Sequence, residues 1–357
     1  MAQAANCAGS IGVQTPMKSR LSAVLLAVGV SFCAVGQALA WGDIGHRIVG
    51  TVGVESLPKD LPAFLRARQA AADAGDYARE LDRSKGAGRV HDSDRDPGHF
   101  ADVDDEGRLL GGPKLTDLPP TRAAYETALR AVGQDSWKAG YLPYAIIDGY
   151  QQLVRDFATW RVLTAAVARE RNPARLAWYR ADLRRRETLT LRDIGVWAHY
   201  VGDAAQPLHD TIHFNGWDAK TPNPKGFTTD RIHGPFEEAF VRDHVTIGMV
   251  RSRLPAPRPG GAIEKRTVEY LQAGQTQVEP LYQMWKDGDF QGAAVKGADF
   301  TATRLAAGSA ELRDLIVNAW RDSATATIGY RDSEISPAQA ASGERDAWAA
   351  LYGMQHP

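Results

Sequence analysis

Apolar side chains recur at helical steps over most of the chain. Ile147, Tyr150, Leu153, Phe157, Trp160 and Leu163 stand three or four residues apart, the spacing of one face of a long amphipathic helix. Leu191, Ile194, Trp197 and Val201 form a second stripe. Pro119-Pro120-Thr121 opens a third run, with Ala124, Ala128 and Ala131 along it. Residues 262–328 are again rich in Ala, Leu, Glu and Arg, all good helix formers. No sustained period-two alternation bounded by turn pairs is present, so strands are not expected as a main element. Three stretches lack periodicity: 84–113, 215–231 and 255–261. Long loops of this kind in a folded chain are usually functional. With no internal repeat and no break in composition, the pattern predicts an all-α fold, a single multi-helix domain.

The first forty residues do not share this pattern. Lys18 and Arg20 precede a largely apolar run from Leu21 to Val35, and Ala38-Leu39-Ala40 follows with small residues. That is the layout of a secretory signal peptide over 1–40, leaving a domain over 41–357 destined for the periplasm or the medium. The apolar run is shorter than the ~20 residues a bilayer-spanning helix requires.

Composition changes the picture at one point. Both cysteines, Cys7 and Cys33, lie in the expected leader. The remaining chain is long enough to hold its core without disulfides. Any metal it binds must then be held by nitrogen and oxygen ligands. The formal net charge of −1 is not that of a protein that simply coats nucleic acid, which is usually strongly basic.

The candidate chemistry is concentrated in histidines. Of nine in the chain, five fall in four short segments: Trp41 to His46, Pro97 to Phe100, His199 to His209, and His233 to Glu237. These five are His46, His99, His199, His209 and His233, with His213 close by as a spare. His199 and Asp203 are four apart on an expected helix and so share a face. His233 and Glu237 repeat the spacing on a second helix. On an unbroken helix His209 would point about 80° away from His199, but Pro207 can end or kink the helix between them. One such pair alone reads as a surface pair supporting a helix. Two pairs with His209 between them read as a metal site. Asp92, Asp94 and Asp96 suggest a calcium loop, but its sixth and twelfth positions hold Pro97 and Val103 where Gly and Glu are needed. Trp41 would gain a free α-amine on cleavage after Ala40. With its carbonyl oxygen, that amine could chelate an ion.

Together these segments resemble a known superfamily. Trp-Gly-x-x-Gly-His resembles the start of the single-strand-specific zinc nucleases of fungi and plants. His-x-x-x-Asp-x-x-x-x-x-His, here His199, Asp203 and His209, is shared by those nucleases and by bacterial zinc-dependent phospholipase C. His99-Phe-Ala-Asp-Val-Asp looks like the nuclease segment that carries a zinc histidine, whereas His233-Gly-Pro-Phe-Glu237 looks more like phospholipase C. The matches run from Trp41 to Glu237; beyond them the likeness is only that of helices.

The resemblance implies three Zn2+ between helices. One would take His99, His199, Asp203 and an upstream aspartate, for which Asp82 is chosen and Asp92 is the alternative. A second would take His209, His233 and Glu237. The third would take the Trp41 amine and carbonyl, His46 and the shared Asp203. The implied activity is phosphodiester hydrolysis by metal-activated hydroxide, with Asp82 and Asp203 as the catalytic carboxylates. Single-stranded DNA or RNA is the expected substrate, acted on by a monomer with no stable protein partner. Trp217, Phe214, Tyr200 and Phe227 are candidates for a base-stacking platform. Two other readings are a phospholipase C acting on phospholipid head groups and a non-catalytic secreted metal-binding protein. Proteolysis by a zinc protease is disfavoured because His-Glu-x-x-His is absent.

Overall fold

The two clearest apolar stripes belong to the two longest helices of the N-terminal half. A computed structural model describes residues 41–83, 85 and 95–353. The expected leader, both cysteines, Asp92 and Asp94 lie outside the described residues. The helices are α1 (Gly42–Glu55), α2 (Ala70–Tyr77), α3 (Glu80–Arg83), α4 (Arg122–Ala131), α5 (Ser136–Ala139), α6 (Leu142–Arg169) and α7 (Pro173–Asp203). They are followed by α8 (Val241–His244), α9 (Ile247–Ser252), α10 (Ile263–Gln275), α11 (Val278–Lys286), α12 (Val295–Asp322), α13 (Pro337–Ser342) and α14 (Ala347–Tyr352). Among the described residues there is no strand, only isolated bridges such as Ala101 with Gly140. The fold is all-α.

Local chemistry starts these helices where the sequence suggests. Thr121 caps α4 by accepting the Ala124 amide at 3.2 Å. Asn172 caps α7 by accepting the Ala174 and Arg175 amides at 2.9 and 3.2 Å, and Pro173 sits in the first turn, where its missing N–H costs nothing. Tyr150, Leu153, Phe157 and Leu163 of α6 are buried, with Ile146 rather than the half-buried Ile147 completing the face. Burial of each such side chain contributes about 1.5–3 kcal/mol. The Trp197 indole of α7 donates to the Ile146 carbonyl at 2.9 Å and so fixes the register of the two helices.

Helix α1 lies against α2, α7 and α12, and small residues allow the approach. A Cβ on Gly202 would lie 3.3 Å from His46 Nδ1, so glycine there lets α7 pass close to α1. The C-terminal third is part of this bundle. Ala302, Leu305 and Ala306 of α12 share a core cluster with Trp41, Ile48, Val49 and Phe236. The irregular strap 255–261 is tied to α12 by the Arg258 amide on Asp314 and the Gly260 amide on Asn318, at 2.8 and 2.7 Å.

One expected element differs. The α-helix expected to carry both His233 and Glu237 is instead a π-helical turn over Pro235–Phe240, which returns to α geometry in α8. Such turns are rare and collect at functional sites, because the wider ring re-aims a side chain.

Candidate metal centre

All the side chains singled out as ligands, apart from the alternative Asp92, are described, and they converge between α1, α3, α7 and the turns that follow α7. His46 comes from the second turn of α1, Asp82 from α3, and His199 and Asp203 from the last turns of α7. A short 3-10 turn over Asp96–His99 presents His99. Helix α7 ends at Asp203, and a 3-10 turn over Pro207–His209 returns His209 to the same place, as Pro207 requires.

His46 Nε2 lies 3.4 Å from Asp203 Oδ1 and 3.9 Å from Asp82 Oδ2. His199 Nε2 lies 3.5 Å from Asp203 Oδ2 and 3.7 Å from Asp82 Oδ1. The His46 and His199 rings stack at 3.6 Å, with His99 edge-on to His199 at 4.8 Å. Glu237 Oε2 lies 2.8 Å from His233 Nε2 and 3.6 Å from His209 Nε2. Three groups have donor atoms mutually within 4.8 Å: His46, Asp82 and His199; His99, His199 and Asp203; His209, His233 and Glu237. The third is the set expected for one ion. The first two share His199; Asp82 groups with His46 and His199 rather than, as expected, with His99.

Four of the five rings are fixed from behind. Nδ1 of His99, His199, His209 and His233 lies 2.8, 2.7, 2.6 and 2.9 Å from the carbonyl oxygens of Asp96, Ala78, His99 and Phe214. A carbonyl only accepts, so each Nδ1 carries a proton; the Nε2 of His99 and His199 is left without a partner, while the Nε2 of His209 and His233 faces Glu237. Gly140, at φ +73°, supports the His99 segment: a Cβ there would meet the Phe100 carbonyl oxygen at 2.0 Å.

Burial keeps His46, His99, His199 and His209 in the neutral form that binds a cation. It lowers the pKa of His46 and His99, helped by repulsion from His199 and Lys85 respectively. Burial and Lys85 lower that of His199, and burial lowers that of His209. Burial and the neighbouring Asp82 carboxylate raise the pKa of Asp203. Burial opposes ionisation of Glu237 too, but His233 and His209 hold its pKa down at about 2. Both nitrogens of His46, Nε2 of His99 and His199, both oxygens of Asp203 and Glu237 Oε1 are buried without a hydrogen-bond partner. Each such atom costs roughly 1–3 kcal/mol, a large sum against a typical net stability of 5–15 kcal/mol. Cations would satisfy the inward-facing ones, with His46 Nδ1 left against α7 at Gly202, and an imidazole–carboxylate donor set suits zinc.

Trp41 is fully buried at the start of α1, and its indole donates to the Gly202 carbonyl at 2.7 Å, next to Asp203. His213 stands apart, stacked on Trp217 and 3.0 Å from Asp105. Of the aromatic candidates, Trp217 and Phe227 are core residues and Tyr200 is half-buried against His99. Only Phe214, 44% exposed, stands at the mouth of the cleft.

Sequence reasoning missed three residues here. Gln206 donates to Glu237 Oε2 at 3.2 Å while its own oxygen accepts the Leu208 amide at 2.7 Å. It lay inside a segment already singled out. Lys85 Nζ pairs with Asp82 Oδ1 at 2.9 Å; burial works against the ammonium, but Asp82 and Asp203 keep its pKa raised. Lys85 and the exposed Lys138 line the cleft of about 310 Å3 that opens beside His99, His209 and His233.

No family model matches the chain. Among curated proteins it is similar to a probable serine protease of Bradyrhizobium tropiciagri, 27% identical over 322 residues that cover 77% of this chain. The chain spans only 38% of that relative's length. Among solved structures it is similar to the alpha-toxin of an avian strain of Clostridium perfringens, at a TM-score of 0.37 and 14% identity, covering 80% of this chain and 67% of that one.

Proposed function

We propose that this protein is a zinc-dependent phosphodiester hydrolase, exported through its N-terminal leader, that cleaves single-stranded DNA or RNA. The observation that carries this reading is the buried, unpartnered set made by Nε2 of His46, His99 and His199, both oxygens of Asp203 and Glu237 Oε1. His46, Asp82, His99, His199 and Asp203 would hold two ions, joined by the main chain of Trp41 once cleavage frees its amine. His209, His233 and Glu237 would hold a third. Bound zinc supplies Lewis acidity at a phosphoryl oxygen and acidifies water.

The chain's own residues do the remaining work. The carbonyls behind His99, His199, His209 and His233 keep the proton on Nδ1 and prevent the rings from turning. Gln206 holds Glu237 Oε2 toward His233. Lys85 keeps its charge at the cleft, where it can donate to a phosphate oxygen, and Asp82 fixes where that charge sits. Asp82 also offers Oδ2 on the side of His46, an acceptor able to orient an attacking water. Phe214 offers an exposed ring on which a base can stack.

The His233–Glu237 pairing keeps phospholipid as the second substrate class, since that segment looks like phospholipase C. The serine protease reading of the curated relative finds no support in the cleft. No serine is among the described residues that line it. The test is to purify protein beginning at Trp41 without chelator, count its metal, and assay single-stranded DNA, RNA and a phosphatidylcholine emulsion together. About three zincs per chain with chelator-sensitive nucleotide release is the expected result. Lipid cleavage alone would move the reading to phospholipase C, and absence of both zinc and hydrolysis would end it.

A further inference from the structure

Helix α7 carries a strongly charged surface that the metal centre does not use. From Arg169, the last residue of α6, to Arg192 the sequence holds eight arginines against three acids, six of the arginines on α7 itself, in a chain of net charge −1. The three acids are engaged locally. Glu170 accepts the Arg171 and Asn172 amides, Asp182 accepts the Tyr352 hydroxyl, and Glu187 accepts the Trp160 indole. Arg175, Arg186 and Arg192 are paired with Asp346, Asp156 and Asp193. Arg180, Arg184 and Arg185 are exposed, and none forms an ion pair among the described residues. Arg155 of the adjoining α6 is exposed and unpaired in the same way.

This arrangement costs stability. Arg180 and Arg184 are four apart on one face, and like charges at that spacing oppose the helix by about 0.2–0.5 kcal/mol. A helix that needed only a solvated face would interleave signs. The guanidinium fork matches phosphate oxygens. An interfacial membrane helix needs a wide apolar face beside its cations, whereas the exposed large apolar residues of α7 are only Trp178 and Leu189. The Trp178 ring is held edge-on by Trp348 and Tyr352.

Distance identifies the form of the ligand. Arg185 precedes His199 by fourteen residues of continuous helix, roughly 21 Å at 1.5 Å per residue, and Arg180 lies roughly 29 Å away. A mononucleotide or a lipid head group cannot touch both regions, but an extended strand can. We propose that the outer side of α7 around Arg180, Arg184 and Arg185 is a docking surface for the phosphate backbone of a single-stranded nucleic acid, separate from the cleft. This rests on the nuclease reading for its substrate class.

The test compares the wild type with R180A/R184A/R185A and with R180K/R184K/R185K. Binding of a labelled single strand of about 30 nucleotides is followed by fluorescence anisotropy in chelator, where no cleavage occurs. Vesicles containing phosphatidylserine are run in parallel. The alanine variant is expected to bind the strand about tenfold more weakly. Three lost contacts at ~0.7 each should flatten the log K against log salt slope by about 2. The lysine variant should retain most of the binding. With zinc, KM for the strand should rise with kcat unchanged, and a dinucleotide should be cleaved as by the wild type. Equal strand affinity and salt slope in the alanine variant would overturn the docking surface. So would loss of vesicle binding with strand binding intact. A wild type that cleaves no nucleic acid with zinc would end the nuclease reading instead, while the chelator arm would still decide whether α7 binds the strand.

Discussion

Two buried clusters of charge in this molecule are built on opposite principles. Beneath the 255–261 strap, Arg266 forks onto both oxygens of Glu311 at 2.6 and 2.7 Å. Asp314 accepts Arg313 and the Arg258 amide at 2.8 Å each, and Asn318 accepts the Gly260 amide. Within that network only Arg313 Nη2 lacks a partner. Around Asp203 the reverse holds, with most of the inward-facing nitrogens and oxygens unpartnered. A satisfied network has used its polar groups to hold its own chain. An unsatisfied one, buried more deeply still, has kept them for something the chain does not supply, and that difference marks the function.

The largest expected effect comes from removing a donor at the unsatisfied cluster. His199→Ala should lose bound metal and at least roughly 10³-fold in kcat/KM, since several kcal/mol of charge stabilisation go with it at 1.36 kcal/mol per decade. Elemental analysis and hydrolysis measured on the same sample check this. Full zinc at full rate would remove the contrast. The satisfied cluster should behave oppositely. Arg266→Met strands the buried Glu311 carboxylate and should cost about 3–5 kcal/mol in denaturant unfolding. The rate per folded molecule should not change, because no group of that network lines the cleft.

Asp203 sharpens the contrast through pH. Its pKa is raised by burial and by Asp82. A carboxyl with a folded pKa above its unfolded value contributes stability fully present below the unfolded value. That contribution is lost as pH rises through the folded value. In chelator, Asp203→Asn removes this loss and should be more stable than the wild type by about 1–3 kcal/mol at neutral pH. The advantage should shrink as the pH falls toward 4. An advantage that grew on acidification would mean that Asp203 is held ionised by partners, as in the strap network.

Much of this architecture was legible from spacing. The stripes of α6 and α7, the break at Pro207 and the four-residue pairs are local patterns, and local patterns survive into the fold. The Nδ1 partners were not legible. The carbonyl behind His199 belongs to Ala78, 121 residues away, and a carbonyl carries no residue type. Lys85 was hidden for a related reason, because its role depends on Asp82 turning inward from the short α3. The charge run on α7 is visible in the sequence, but which of its arginines are unpaired is decided by contacts with α6 and the C-terminal segment. The turn over Pro235–Phe240 went the other way: its spacing promised an α-helix, and the wider π geometry still delivers Glu237 to His233.

The smallest effect tests what the cleft is for. Phe214 contributes twice: its carbonyl orients His233, and its exposed ring faces the mouth 6.5 Å from the His233 ring. Phe214→Ala keeps the carbonyl and removes the ring, so metal content should stay at the wild-type level. A base–aromatic stack contributes about 1–3 kcal/mol, and at the lower end of that range KM for a single strand should rise roughly fivefold. kcat should hold, because the lost contact is made equally in the ground and transition states. A phosphodiester without a base, such as bis(p-nitrophenyl) phosphate, should be cleaved as before. If KM for both substrates rises together, the ring shapes the metal cleft rather than gripping a base, and the apolar surface it offers would suit an acyl chain better than a nucleotide.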